Sequence, residues 1–187
     1  MDSRDYACTF FKDWFVPHYK HFSDLGIVPR MIDVMDVYGP NVLVSHEVIL
    51  NEWGIDSRFG SLIPRSPAKA TERETIGLIA IYERLGYKVG HIFKHGIDHI
   101  DLHAGNVVLK GAYPLIIDWD GVLWHQPLAK DPEEIFRFWA KETERLFRPC
   151  DMIHLGKKYD SDLVKRVREA FNESFREELF SSPECNL

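Results

Sequence analysis

Hydrophobic residues near the N-terminus recur at a spacing typical of an amphipathic helix. Between residues 6 and 24, successive large aromatic residues are three or four positions apart, which places them on one helical face. They are Phe11, Phe15, Tyr19 and Phe22. Pro17 lies within this run and would kink or divide the helix, because proline lacks the amide hydrogen that a helix interior requires.

A β-hairpin is predicted next. Residues 30–38 and 42–50 are apolar runs with partial alternation, and a Gly-Pro-Asn turn at residues 39–41 separates them. Two such runs around a short turn are typical of an antiparallel hairpin. Residues 51–69 contain several glycines and prolines, so we expect mostly loop there.

The strongest helical pattern covers residues 71–87. Thr71 and Glu74 have the spacing of a capping box at its start. Apolar residues then follow at i, i+3, i+4 and i+7, namely Leu78, Ile81, Tyr82 and Leu85. Gly86 and Gly90 are expected to end this helix.

The remaining pattern predicts a short strand pair and two helices. Strands are expected around residues 107–109 and 115–117, and helices over residues 131–148 and 160–180. The buried face of the last helix is predicted to contain Leu163, Val167, Phe171 and Phe175. A small antiparallel sheet with helices gathered away from it indicates the α+β class.

Composition excludes several classes of protein. Of the 187 residues, 45% are hydrophobic and 13% aromatic, which is typical of an ordered globular chain. The net charge of −6 gives no general attraction to nucleic acid or to a membrane surface. No apolar run approaches the ~20 residues of a membrane span. The N-terminus lacks the apolar core of a signal peptide, and the three scattered cysteines indicate reduced thiols, so a cytoplasmic location is expected.

One polar segment and one later aspartate combine the groups that phosphoryl transfer requires. The segment reads His-Ile-Asp-Leu-His-Ala-Gly-Asn from His99 to Asn106, and Asp118 follows an apolar run. Asp101 is the candidate base that orients a hydroxyl, while an amide oxygen and a carboxylate can hold a magnesium ion. His99 is expected to form hydrogen bonds within the loop rather than to carry a proton.

This pattern resembles the protein-kinase-like superfamily, and most closely its aminoglycoside and choline phosphotransferase branch. In that branch the loop often reads HGDLHxxN and a later motif reads IDW or IDF. The resemblance implies Mg²⁺ and ATP as cofactors, with Asp101, His99 and Asn106 as catalytic residues. It also implies that the metal ligands are Asn106, Asp118 and Asp120.

The same resemblance implies how the chain is divided. Residues 1–187 would form one kinase-like domain, with a reduced N-terminal lobe (helix plus β-hairpin) at about 6–50 and a small helical C-terminal lobe at about 51–180. The catalytic loop would be 99–106 and the metal motif 118–120. Backbone groups of Glu47, Val48 and Ile49 would contact the adenine of the nucleotide.

Part of the kinase machinery has no counterpart in this sequence. The family's glycine-rich hairpin and strand lysine precede the first helix, and only about five residues precede that helix here. Three functions are therefore left open. The chain could transfer phosphate to a small-molecule or protein hydroxyl, act as a pseudokinase or binding module, or be the catalytic half of a split kinase completed by a second chain.

Two other chemistries fit parts of the sequence. The run around Asp118 and Asp120 also matches the apolar strand and D-x-D-G pattern of haloacid-dehalogenase-type phosphatases, in which Asp118 would be the nucleophile. His91, His95, His99 and His103 recur every four residues, a spacing that can bind zinc on a helix. Gly96 argues against one continuous helix through all of them.

Overall fold

The computed structural model describes residues 6–36, 41–47, 71–125, 131–147 and 161–181. Its strands are β1 (Tyr6–Lys12), β2 (Met31–Asp36), β3 (Asn41–Glu47), β4 (Ile97–His99), β5 (Val107–Lys110), β6 (Tyr113–Ile116) and β7 (Val122–Trp124). Its α-helices are α1 (Val16–Asp24), α2 (Glu72–Lys94), α3 (Pro132–Thr143) and α4 (Ser161–Phe180). The predicted α+β class is confirmed. None of the described helices is long and apolar enough to cross a membrane.

The predicted helix over residues 6–24 is wrong in its first half. Residues 6–12 form β1, which pairs antiparallel with β3 along its whole length. Phe11 is buried and Phe10 is 58% exposed, an alternation that suits a strand with one face on the core. Pro17 does not divide a helix, because it lies in the first turn of α1, where its missing amide hydrogen has no partner to lose.

The predicted hairpin is confirmed and gains a third strand. β2 and β3 pair antiparallel, and the order of the sheet is β1-β3-β2. The N-terminal part is therefore a helix packed with a three-stranded sheet rather than a helix with a hairpin. The predicted loop over residues 51–69 lies outside the described residues.

Helix α2 is longer than predicted. Gly86 and Gly90 lie inside its 23 residues instead of ending it. A Cβ at Gly86 would collide with the carbonyl oxygen of Phe171, and one at Gly90 would lie 2.7 Å from that of Phe175. These glycines therefore let the backbone of α4 approach α2 closely. The helix ends at Lys94, and Gly96 follows with φ +71°.

The C-terminal predictions are largely confirmed. β5 and β6 form the predicted strand pair. The predicted face of α4 is buried, with Leu163, Val167, Phe171 and Phe175 all at most 3% exposed. The pairing of β4 with β7 was not predicted, because three-residue strands have too little pattern to detect.

One buried aromatic cluster joins the N-terminal helix to the predicted metal motif. The ring of Trp119 stacks on Phe15 at 5.4 Å and lies 6.1 Å from Phe22. All three side chains are at most 2% exposed. The residue that follows Asp118 is thereby fixed in the core.

Candidate active site

The predicted catalytic loop begins on a buried strand and is tied to the chain segment that precedes Asp118. The ring of His99 lies in the core, and its Nε2 is 2.9 Å from the carbonyl oxygen of Ile117. Since a carbonyl only accepts, Nε2 donates this bond. Burial lowers the pKa of His99, so the imidazole is neutral and suited to fixing the loop rather than to moving protons.

Asp101 lies at the surface and is held through both of its carboxylate oxygens. Arg145 Nη2 donates to Oδ1 at 2.8 Å, and His103 Nε2 lies 3.4 Å from Oδ2. Asn106 Nδ2 donates to the Asp101 carbonyl oxygen at 3.0 Å and lies 3.5 Å from Oδ2. These donors set the direction in which the carboxylate points.

The electrostatics of Asp101 follow from the same contacts. The hydrogen bond from Arg145 is the main reason that the pKa of Asp101 is lowered, and His103 adds to the effect, while partial burial opposes it. The group is therefore ionised at neutral pH. A carboxylate of lowered pKa is a weak base, so it is better suited to orienting a hydroxyl than to removing its proton early.

The tautomer of His103 is fixed by the loop itself. The amide of Gly105 donates to Nδ1 at 2.9 Å, so Nδ1 carries no hydrogen and Nε2 carries it towards Asp101. A Cβ at position 105 would lie 2.6 Å from the His103 ring, so glycine is required for this contact. His103 is therefore a positioning residue for Asp101.

Asn106 connects the loop to the predicted metal motif. Its side chain is 7% exposed, and its amide nitrogen is committed to Asp101. Its backbone carbonyl accepts from Ile117 N at 2.9 Å, immediately before Asp118. The structure thus brings Asp101, Asn106 and the start of the 118–120 motif together.

Asp118 has an unusual backbone conformation. Its φ of +67° is in the left-handed region, which costs energy in residues other than glycine. The following side chain, Trp119, is buried and donates from Nε1 to Ile116 O at 2.8 Å. This turn sends Trp119 into the core while Asp118 stays exposed at the surface. Asp120 is also exposed.

The predicted adenine contacts are placed only in part. Val48 and Ile49 lie outside the described residues. The amide of Glu47 already donates to Arg30 O at 2.9 Å, and its side chain accepts from Lys110 Nζ at 2.6 Å. The amide of Glu47 is therefore already committed within the protein.

A cavity of about 910 Å³ lies on another part of the surface. It is bounded by the end of α1, by α2 and by the β5–β6 pair, and its charged lining includes Arg30, Arg84, Lys88 and Lys110. Among the predicted site residues that the structure describes, Glu47 alone lines it. It is therefore separate from Asp101, Asn106 and Asp118.

Sequence reasoning missed one basic residue at the site and misassigned the element that contains another basic residue, Lys12. Arg145 is 44 residues beyond Asp101, in a helical segment whose pattern shows only an apolar face. The structure also shows that a strand, β1, does precede α1 and ends with Lys12. Lys12 Nζ donates to Asn41 Oδ1 at 3.1 Å on the sheet surface.

The described residues do not form the four-histidine zinc site or the parallel-sheet phosphatase site that the sequence left open. The four regularly spaced histidines separate, because His99 is bonded to Ile117 and His103 to Gly105, while His91 and His95 meet His21 from α1. For the phosphatase, Asp118 would have to follow a strand of a parallel sheet. Among the described strands every pairing is antiparallel.

Comparison with known proteins agrees with this geometry at the level of the fold. No family model and no curated protein sequence matches the chain. Among solved structures, the chain is similar to the kinase PK-1 of Cydia pomonella granulovirus, with 14% sequence identity and a TM-score of 0.54. The match covers 97% of this chain and 85% of the viral chain.

The chain therefore has a protein-kinase-like α+β fold. At 14% identity the similarity shows the fold alone. The aminoglycoside and choline phosphotransferase branch stays a prediction from the loop sequence.

Proposed function

We propose that this chain binds magnesium-ATP and transfers the terminal phosphoryl group to a hydroxyl of a small molecule or a protein. The observation that carries the proposal is the position of Asn106. Its side chain bonds to Asp101 and its backbone bonds to Ile117, so the loop carboxylate and the 118–120 motif form one unit. Phosphoryl transfer depends mainly on such positioning.

The donor set fits a magnesium ion. Mg²⁺ prefers oxygen ligands, and Asp118 and Asp120 offer exposed carboxylates. Since the amide nitrogen of Asn106 is committed to Asp101, its oxygen is the atom that would bind the ion. A magnesium ion bound there would supply positive charge to neutralise the phosphates.

Asp101 would accept a hydrogen bond from the acceptor hydroxyl and aim it at the phosphorus. His103 and Arg145 would act as positioning residues, because they hold the carboxylate from its two sides. The nucleotide base would contact backbone groups near Glu47, chiefly those of Val48 and Ile49.

Nucleotide-dependent melting tests the proposal. We expect magnesium-ATP at millimolar concentration to raise the melting temperature, and Asp118→Asn to abolish the rise. Asparagine tolerates a left-handed backbone, so this variant keeps the fold while losing the charge. Asp24→Asn is the matched control, since Asp24 is an exposed carboxylate at the end of α1. The absence of any shift in the wild-type chain would refute the proposal.

A nucleotide-binding module without transfer activity is the second candidate. The ion pair with Arg145 occupies one oxygen of Asp101, and it favours this candidate because an acceptor hydroxyl would compete for the same carboxylate. Nucleotide binding with no ATP turnover in the wild-type chain would support it. If turnover is present, Arg145→Gln should move the acid limb of its pH profile upward, because the pKa of Asp101 would return towards its ordinary value.

A further inference from the structure

Three histidines that the catalytic loop does not use meet where α1, α2 and α4 approach one another. His21 is on α1, His91 is on α2, and His95 follows the end of α2. One ring nitrogen from each lies within 4.8 Å of those of the other two. Their ring centroids are 4.8 to 5.4 Å apart.

The distance between two of the ring nitrogens suits a tetrahedral metal ion. His21 Nε2 and His91 Nε2 are 3.2 Å apart. Two nitrogens bound to zinc at about 2.0–2.1 Å with a tetrahedral angle are separated by roughly 3.3 Å. A hydrogen bond between two imidazoles would explain that distance alone, but it would not explain the third histidine beside the pair.

A carboxylate orients one of the three rings. Glu178 of α4 is 9% exposed, and its Oε1 lies 2.8 Å from His91 Nδ1. Nδ1 must donate this bond, which directs the lone pair of Nε2 towards His21. Histidine ligands of zinc commonly have such a carboxylate behind them. Lys94 Nζ lies 3.5 Å from the same oxygen and shares the carboxylate.

We propose that His21, His91 and His95 form a binding site for a zinc-class transition-metal ion. Imidazole suits zinc, copper, nickel and cobalt, and the three protein ligands leave a fourth position for solvent. The ion would join α1 to α2 across 70 residues of sequence, and Glu178 would extend the connection to α4.

Zinc titration of the full chain, without an affinity tag, tests the site. We expect one zinc ion per chain and a melting temperature raised by about 5–10 °C when zinc is a hundredfold above its dissociation constant. Cobalt should give the visible absorption of a tetrahedral complex. Glu178→Gln should weaken binding by about 10–100-fold, because it removes only the orienting charge.

Substitutions distinguish this site from others. His21→Gln and His95→Gln should each abolish the zinc-dependent shift, and His21 is exposed, so its variant is expected to fold. His125→Gln is the matched control, since His125 is a partly exposed histidine outside the cluster. Asp118→Asn should still bind zinc, which would show that the carboxylates of residues 118–120 do not hold the ion. No stoichiometric zinc, equal binding in His21→Gln, or loss of binding in either control would overturn the proposal.

Discussion

A single methyl group added to α2 should test how closely α4 packs against this helix. Gly86 lies against α4, where a Cβ would collide with the carbonyl oxygen of Phe171 and lie 3.1 Å from Phe175 N. Both neighbours are backbone atoms, so neither can rotate away, and one helix must move. Gly77 is in the same helix, and a Cβ there would meet nothing within 4 Å. Gly86→Ala and Gly77→Ala are therefore a matched pair.

The pair separates two effects of opposite sign. Alanine gains about 1 kcal/mol over glycine in a helix interior, and this gain applies to both variants. Overpacking at position 86 should cost about 1–3 kcal/mol. Gly77→Ala should therefore raise the free energy of unfolding by about 1 kcal/mol, and Gly86→Ala should be about 1–3 kcal/mol less stable than Gly77→Ala.

Urea unfolding of the wild-type chain and both variants measures these differences. The midpoint should move while the slope stays constant, because the surface exposed on unfolding is unchanged. In melting experiments, a difference of 1 kcal/mol corresponds to about 2–4 °C for a chain of this length. Equal stability of the two variants within about 0.5 kcal/mol would refute the close approach of α4 to α2.

Three further predictions concern Asp118, Trp119 and the buried Lys88. Asp118→Gly should stabilise the fold by about 1 kcal/mol in urea unfolding, because glycine adopts φ +67° without strain; a loss of stability would contradict this. Trp119→Phe should cost about 1–3 kcal/mol in the same assay, since Ile116 O loses its buried donor, and an unchanged midpoint would be the contrary result. Burial lowers the pKa of Lys88 from 10.5 to about 8, with Arg84 adding to the effect. Between pH 8 and 10.5 the unfolded chain therefore binds more protons than the folded chain. The free energy of unfolding should rise over this range by more in the wild-type chain than in Lys88→Met. If the two chains gave parallel curves of unfolding free energy against pH, the lowered pKa of Lys88 would be excluded.

The sequence predicts elements well where the periodicity is long. α4 was found because it buries one continuous face, and the pair of β2 and β3 was found because two apolar runs flank a turn signal. β1 was misassigned because its aromatic residues also fit a helical interval, and its pairing with β3 depends on residues 29 or more positions away. A seven-residue segment cannot reveal such a distant partner.

Candidate site residues were predicted by their type and order, while their partners were not. The grouping of Asp101, Asn106 and the 118–120 motif follows from one loop and one tight strand pair, which are local in sequence. Arg145 reaches Asp101 from a distant helical segment, and nothing in its neighbourhood signals that contact. Similarly, Gly86 and Gly90 predicted a helix end, although in the structure they allow the backbone of α4 to pack closely against α2.

The packing of α4 on α2 has a consequence for the order in which the chain can fold during synthesis. α2 leads directly into the strand that carries His99, and within the described part of the chain its glycine-lined face packs against residues 161–180. Contacts between segments so far apart in sequence are slow to form. During translation, the segment from His99 to Asp118 therefore leaves the ribosome before the helix that completes its support. The loop should reach its final geometry only after residues 161–180 have been made.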